Sequence, residues 1–268
     1  METASRVSII VLNWNGLKYL RNCLDSIAGQ SVSLLEVILV DNGSTDGSVE
    51  FVKKHYPWVK VVEIGRNLGL SSRNLGLREA KGRYIAFVDN DIYLDKKWIE
   101  ERLKVASLPS VGVVGGSVIS FDPPHKPVFF PNRFFPSLKL PWAILSHSSI
   151  DKAVEIDHVQ GCGLFVAKEV FEKIGTFDPV FFLWNDDLDF CVRARRASFR
   201  VVFTPKSVMY HKIGGFRARA SRCKLIKQFV EANVKFARKS YPLWHIPFAM
   251  VSVALANLIF LIQLFLSR

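Results

Sequence analysis

The chain has 268 residues, 36 Lys and Arg against 24 Asp and Glu, and a net charge of +12. Such a length holds one large domain or a domain with an appendage, and 49% hydrophobic with 22% charged residues excludes a disordered chain. The positive balance admits nucleic acid, anionic membranes or polyanionic substrates as partners, but much of it sits in residues 211–240, which carry nine Lys and Arg and one Glu. No RNA- or DNA-binding signature accompanies that run, so no nucleic-acid partner is expected. Four cysteines (Cys23, Cys162, Cys191, Cys223) stand far apart without a CxxC pair. That pattern fits reduced, mostly buried thiols rather than a disulfide scaffold. The N-terminus METASRVSII has no charged region followed by a long apolar one, so no signal peptide is expected.

Apolar, β-branched runs at 7–12, 35–41, 59–64 and 84–89 predict strands. Segments 16–28 and 45–56 between them predict helices, the second opened by Ser44 or Thr45. Strands apolar on both faces that alternate with helices argue for βαβ units and a buried parallel sheet, hence an α/β nucleotide-binding half. VGVVGGSVIS (111–120) predicts a further strand with a glycine bend. Residues 121–150 hold six prolines among aromatics and exclude a long helix; they read as a substrate-facing flap or as a connecting excursion. GCGLFVA (161–167) and RVVFTP (200–205) predict later strands, around a helix that begins near Asp186.

The domain boundary falls near residue 215. A basic amphipathic segment (216–242) and an apolar helix (243–268) follow, and residues 246–266 carry no charge. As a helix that stretch is about 30 Å long, close to one bilayer core. With Tyr241 and Trp244 at its start and basic residues before it, it predicts a membrane-associated protein with its catalytic domain on the cytoplasmic side. A buried or oligomerising helix is the alternative.

Ligands of open α/β sheets bind beyond the carboxyl ends of the strands. Those ends read Asn13-Trp14-Asn15-Gly16, Asp41-Asn42-Gly43-Ser44-Thr45-Asp46-Gly47, Gly65-Arg66-Asn67-Leu68-Gly69 and Asp89-Asn90-Asp91. Together they would form one polar crevice, although DNGSTDG by itself is equally a turn with a cap. Neither GxGxxG nor GxxxxGK[ST] is present, which argues against a dinucleotide fingerprint and a P-loop. Asp89 and Asp91 point to the same side of an extended chain and would suit Mg2+ or Mn2+ shared with a diphosphate; a strand end with a capping Asp is the plainer reading. Asp186, Asp187 and Asp189 either answer a helix dipole or, in their apolar frame, supply a general base. His211 is either structural or completes a carboxylate metal site.

The stretches VSIIVLNWNG, LEVILVDNGSTDGS, NLGLSSRNLGLREAKGRYIAFVDNDIYLD, GCGLFVAKEVFEKIGTFDPVFF, NDDLDFCVRARR and VMYHKIGG resemble, in this order, glycosyltransferase family 2, and most closely its rhamnosyltransferase-like branch. The likeness spans roughly residues 6–215. It implies an inverting enzyme of GT-A fold with a mostly parallel central sheet. Such an enzyme transfers a hexosyl or rhamnosyl group from a nucleotide-diphosphate sugar to a glycan or lipid-linked acceptor, in cell-surface polysaccharide or glycolipid synthesis. The resemblance places Asn13 and Asp41 at the base and ribose, with Asp46 and Asn67 lining the same pocket. It gives Asp89 and Asp91 to the divalent metal and the sugar diphosphate, and makes His211 the late metal ligand or diphosphate contact. Asp186-Asp187 stands where the family has Glu-Asp, with Asp187 where the base is expected, and the choice between the two stays open. The family's AGGNN is here Leu70-Ser71-Ser72-Arg73-Asn74, a departure that bears on donor or acceptor fit. Two rivals remain. A sugar nucleotidyltransferase would need a Gly-rich, Lys/Arg-bearing triphosphate loop near the N-terminus, and none is evident; a catalytically silent sugar-nucleotide-binding subunit would keep the same acids.

Overall fold

A computed structural model describes residues 6–128, 132–134, 141–144, 152–212 and 222–240. The chain runs β1 (Val7–Asn13), α1 (Leu17–Ala28), β2 (Glu36–Asp41), α2 (Ser48–His55), β3 (Val59–Glu63), α3 (Arg73–Glu79), β4 (Tyr84–Asp89), β5 (Ile92–Leu94), α4 (Trp98–Ala106) and β6 (Val111–Ser120). There follow a small hairpin, β7 (Asn132–Phe134) with β8 (Pro141–Ile144), then β9 (Val154–Glu155), β10 (Phe165–Ala167), α5 (Lys168–Ile174), α6 (Asp186–Arg196), β11 (Arg200–His211) and α7 (Arg222–Ser240).

The main sheet has the order β3-β2-β1-β4-β10-β6-β11-β5, with β9 on β11. β3, β2, β1 and β4 are mutually parallel. Both faces of this half are covered, so Ile9, Ile10 and Val11 of β1 and Ile38, Leu39 and Val40 of β2 are all buried; that explains the unbroken apolar runs. β1 lies between β2 and β4, so the direction of winding reverses there, and a crevice opens where β1 and β4 end. Beyond β4 the sheet is mixed. β10 runs antiparallel to both β4 and β6, and β5 antiparallel to β11. The parallel pairing therefore covers the first half and the β6–β11 pair, and β10 is the strand that interrupts it.

Several local expectations change for identifiable reasons. α2 begins at Ser48, because Gly47 takes φ +84 and breaks the helical run before it. Neither Ser44 nor Thr45 opens it. The glycines of β6 serve close packing rather than a bend: a Cβ at Gly116 would stand 2.3 Å from the Ser207 carbonyl oxygen, and one at Gly115 2.5 Å from the Val159 side chain. The irregularity falls on the partner strand, where the register shifts between Thr204 and Val208 around Pro205. Past this bulge β11 continues to His211, further than its apolar run predicts. Of GCGLFVA, Gly161–Gly163 is a single 3-10 turn and Phe165–Ala167 the strand.

The basic helix α7 packs on the domain. Ala232 and Phe236 join Phe181 and Leu188 in a small second core. Lys239 Nζ stands 2.6 Å from Asp178 and 2.9 Å from Asp189. Among the described residues no helix is long and apolar enough to cross a membrane. This overturns the expectation of a membrane-associated protein with a defined cytoplasmic face. The apolar segment 243–268 on which it rested lies outside the described residues, as does most of the proline-rich stretch 121–150.

Candidate active site

A crevice of about 460 Å3 opens at the carboxyl ends of β1 and β4, lined among others by Asn67, Asp89, Asp91, Asp186, Asp187 and His211. Six of the nine residues singled out from sequence thus share one cavity. Asn13, Asp41 and Asp46 stand behind its wall.

Asn13 is fully buried and Asp41 nearly so. Asn13 Nδ2 donates to Asp41 Oδ1 (2.8 Å) and Ser44 Oγ (3.1 Å), while its Oδ1 accepts from Asn90 Nδ2 (2.6 Å). Asp41 also accepts from the Ser44 hydroxyl at 2.6 Å and backbone N–H at 2.9 Å. These bonds tie the ends of β1, β2 and β4 together. Gly16 is required at this point, because a Cβ there would stand 1.9 Å from Asn90 Nδ2. Asp46 joins two helix starts. Its Oδ2 accepts the Leu17 N–H of α1 (2.9 Å), and its Oδ1 accepts the Ser48 N–H (3.1 Å) and hydroxyl of α2. Asp46 therefore does not line the crevice: both its oxygens answer orphan N–H groups of helix ends.

Asn67 holds the third loop, its Oδ1 accepting from Asn42 Nδ2 (3.0 Å) and the Gly69 N–H (2.8 Å). The next turn docks on the opposite rim, where Leu70 N–H donates to the Phe182 carbonyl (2.9 Å). Gly69, at φ +75, allows this approach; a Cβ there would lie 2.3 Å from that oxygen.

Asp89 ends β4, and Asp91 precedes β5. The β5–β11 register pairs His211 with Ile92, which brings His211 Nε2 to 3.4 Å from Asp91 Oδ1. Burial opposes charge on His211, but Asp91 and the Cys162 thiol outweigh it and push the imidazole up to about 11. Burial likewise pushes Asp89 up, with Arg73 opposing and Asp91 adding to the rise. Two carboxylates and an imidazole suit a small divalent cation in donor type. Among the described residues, no three His, Cys, Asp or Glu side chains are gathered into a ready metal site.

The base candidates lie at the start of α6, and the approach to them is strained. Trp184 and Asn185 have φ of +64 and +63, a pair of left-handed residues without a glycine. α7 braces them: the Trp184 ring meets Phe229 edge-on at 5.4 Å, and Asn185 Nδ2 donates to Asn233 Oδ1 at 3.0 Å. Asp186 is 1% exposed, with Oδ2 3.4 Å from Arg73 Nη2. Burial pushes it up to about 6, Arg73 opposing and the Asp187 charge adding to the rise. Asp187 is 18% exposed. Its Oδ2 accepts the Gly161 N–H at 2.7 Å and stands 3.3 Å from His158 Nε2, while its Oδ1 accepts the Leu188 N–H at 2.7 Å. Burial raises Asp187, but His158 and these N–H groups outweigh it and hold the carboxyl at about 2.

Two residues of this wall had no assigned role from sequence. Arg73, 2% exposed, donates from Nε to the Leu70 carbonyl (3.0 Å) and from Nη1 to the Gly161 carbonyl (3.3 Å), with its guanidinium 4.9 Å from the Phe177 ring centre. Its position inside SSRN was the available signal. His158 carried none, because nothing in its spacing joins it to α6.

Residues 8–175 match Glycosyl transferase family 2, and the chain belongs to that family. The chain is 28% identical over 234 residues to the glycosyltransferase AglE of Haloferax volcanii, covering 85% of this chain and 72% of AglE. It is 34% identical over 125 residues to the glycosyltransferase GlyA of Streptococcus pneumoniae, covering 46% of this chain and 18% of GlyA. Among solved structures, the mannosyltransferase PcManGT of Pyrobaculum calidifontis, in complex with GDP-Man and Mn2+, superposes with a TM-score of 0.63 at 20% identity, covering 95% of this chain and 76% of that one. The protein is a family 2 glycosyltransferase with the GT-A fold.

Proposed function

We propose that this crevice transfers a sugar from a nucleotide-diphosphate donor to an acceptor hydroxyl of a glycan in one displacement, with inversion. The observation that carries the reading is that acidic groups from two distant parts of the chain line one cavity. Asp89 ends β4 and Asp91 follows it, and Asp187 comes from the start of α6. That arrangement divides the work between the leaving group and the incoming nucleophile. PcManGT, bound to GDP-Man and Mn2+, supports a nucleotide sugar as donor.

Asp91, Asp89 and His211 would hold a Mg2+ or Mn2+ ion, which would offset negative charge on the departing nucleoside diphosphate. Asn67 lines the donor side of the cavity, and Asn13 and Asp41 fix the strand ends that shape it. Asp187 takes the proton of the acceptor hydroxyl as its oxygen attacks the anomeric carbon, so an α-linked donor gives a β-linked product. Geometry favours Asp187 over Asp186. Both line the cavity and Asp186 has the better-matched proton affinity, but it is 1% exposed against Arg73, whereas Asp187 is 18% exposed.

The test is a donor screen with Mn2+ across UDP-, GDP- and dTDP-sugars, reading release of the nucleoside diphosphate. Release by the wild type, lost on chelation and in a folded Asp91→Ala variant, is the expected result. Release of pyrophosphate from a nucleoside triphosphate and a sugar phosphate would instead mark a nucleotidyltransferase. Donor binding without turnover would mark a silent subunit.

A further inference from the structure

His158 belongs to neither metal nor donor side of the cavity, yet it faces the base. Its segment is pinned on both flanks. Ile156 is fully buried, and its N–H donates to the Val201 carbonyl at 2.9 Å. Asp157 pairs with Arg195 of α6 at 2.5 Å. Val159 is buried over Gly115, a site where any Cβ would collide with it. The backbone at 156–159 therefore has little freedom, and it carries the imidazole to 3.3 Å from Asp187 Oδ2. The next turn delivers the Gly161 N–H to the same oxygen at 2.7 Å. A Cβ at Gly161 would come 3.2 Å from Asp187 Oδ2 and 3.3 Å from Arg73 Nη1, so a side chain there would press on both by a few tenths of an ångström.

We propose that His158 is a positioning residue for the general base, its Nε2–H and the Gly161 N–H jointly fixing one oxygen of Asp187 and stabilising its negative charge. This deepens the reading of Asp187 as base and rests on it. An Nε2–H is available in the imidazolium and in one neutral tautomer, so the hydrogen bond itself does not require a charged ring. The Gly161 N–H and the imidazole approach the same oxygen and so restrict the carboxylate rotamer, and a held carboxylate is what proton abstraction from a positioned hydroxyl needs. The other groups near this pair are Arg73 and Asp186 at the cavity wall, Asp89 of β4, Cys191 of α6, and the Arg195–Asp157 pair beside His158. Of these, Arg73 is held chiefly by Asp186 and the Leu70 and Gly161 carbonyls, and Arg195 by Asp157. The side chain that meets the Asp187 carboxylate is that of His158, with Nε2 3.3 Å from Oδ2.

The test follows the Asp187 carboxyl directly in the full chain by 13C NMR of protein labelled at aspartate Cγ, with Asp187→Asn assigning the signal. Between pH 7 and pH 4 the wild-type signal should stay flat. In His158→Phe the carboxyl loses its partner while its burial remains, so the signal should show an inflection inside that window, a rise of about two pH units or more. His158→Gln keeps an amide donor and should move less, and amide spectra of both variants report folding. A flat signal in both folded variants overturns the proposal. With the donor found active in the screen, His158→Phe should lower kcat at least tenfold with KM little changed, and kcat equal to wild type would also overturn it. If Asp187→Asn transfers sugar at the wild-type rate, the base assignment fails by itself, and the NMR arm still reports on the contact.

Discussion

At the scale of single residues, carboxylates that look alike in sequence have opposite duties in the structure. Asp46 accepts hydrogen bonds from the starts of α1 and α2, and Asp41 ties β2 to Asn13 and Ser44. Asp89, Asp91 and Asp187 open onto the cavity instead. The turn sequence DNGSTDG could be read either way, and the resemblance alone put Asp46 in the pocket. What sequence cannot express is which way a loop carboxylate turns once two helix ends compete for it. Asp46→Ala should cost about 1–2 kcal/mol of stability by urea denaturation, since it removes a cap shared by two helices, and should leave donor affinity little changed. Affinity lost in proportion to stability would return Asp46 to the pocket. Arg73 is the residue-scale counterpart on the far wall. It is buried beside an equally buried Asp186. Arg73→Met leaves that carboxylate buried without its cation, and a loss of about 3–5 kcal/mol is expected in the same measurement.

At the scale of elements, the parallel strands were legible because each is apolar on both faces and ends in polar residues. β4 was read to the residue, and β1, β2 and β3 to within one residue at an end. The helix at Asp186 was legible too, from its acids followed by arginines. Of the later elements β6 was read to the residue and β11 from its first residue, but α5 was not read, and β10 is three residues long within the seven expected; little periodicity can be resolved in so short a run. α7 was legible as a basic amphipathic helix but not as part of the site, because its docking depends on Phe229, Asn233 and Phe236 meeting Trp184, Asn185 and Phe181 from distant sequence. Phe236 is 2% exposed. Phe236→Ala should therefore destabilise the protein by about 3–5 kcal/mol. Asn233 accepts the hydrogen bond from Asn185 Nδ2, and Asn233→Ala should slow transfer about tenfold or more by loosening the strained entry to α6. Wild-type transfer by folded Asn233→Ala would show that α7 supports the fold alone.

At the scale of the whole molecule, one sheet changes character midway, and the cavity sits where it does so. The parallel half supplies the strand ends that carry Asn13, Asp41 and Asp89, while β10, β6, β11 and β5 bring the Gly161 turn, His211 and Asp91 around to face them. The net charge of +12 had pointed toward anionic partners in general; the structure shows part of the basic run in α7 meeting carboxylates of the domain itself, Asp178 and Asp189. In the proposed reaction, leaving-group binding falls to Asp89, Asp91 and His211 and proton abstraction to Asp187. The most direct test compares wild type with Asp187→Asn in two readouts, donor affinity at equilibrium and the rate of a single turnover with saturating donor and acceptor. Donor affinity should be unchanged and the rate lowered by about a hundredfold or more. An equal rate in the two proteins, with both shown to be folded, would contradict that assignment.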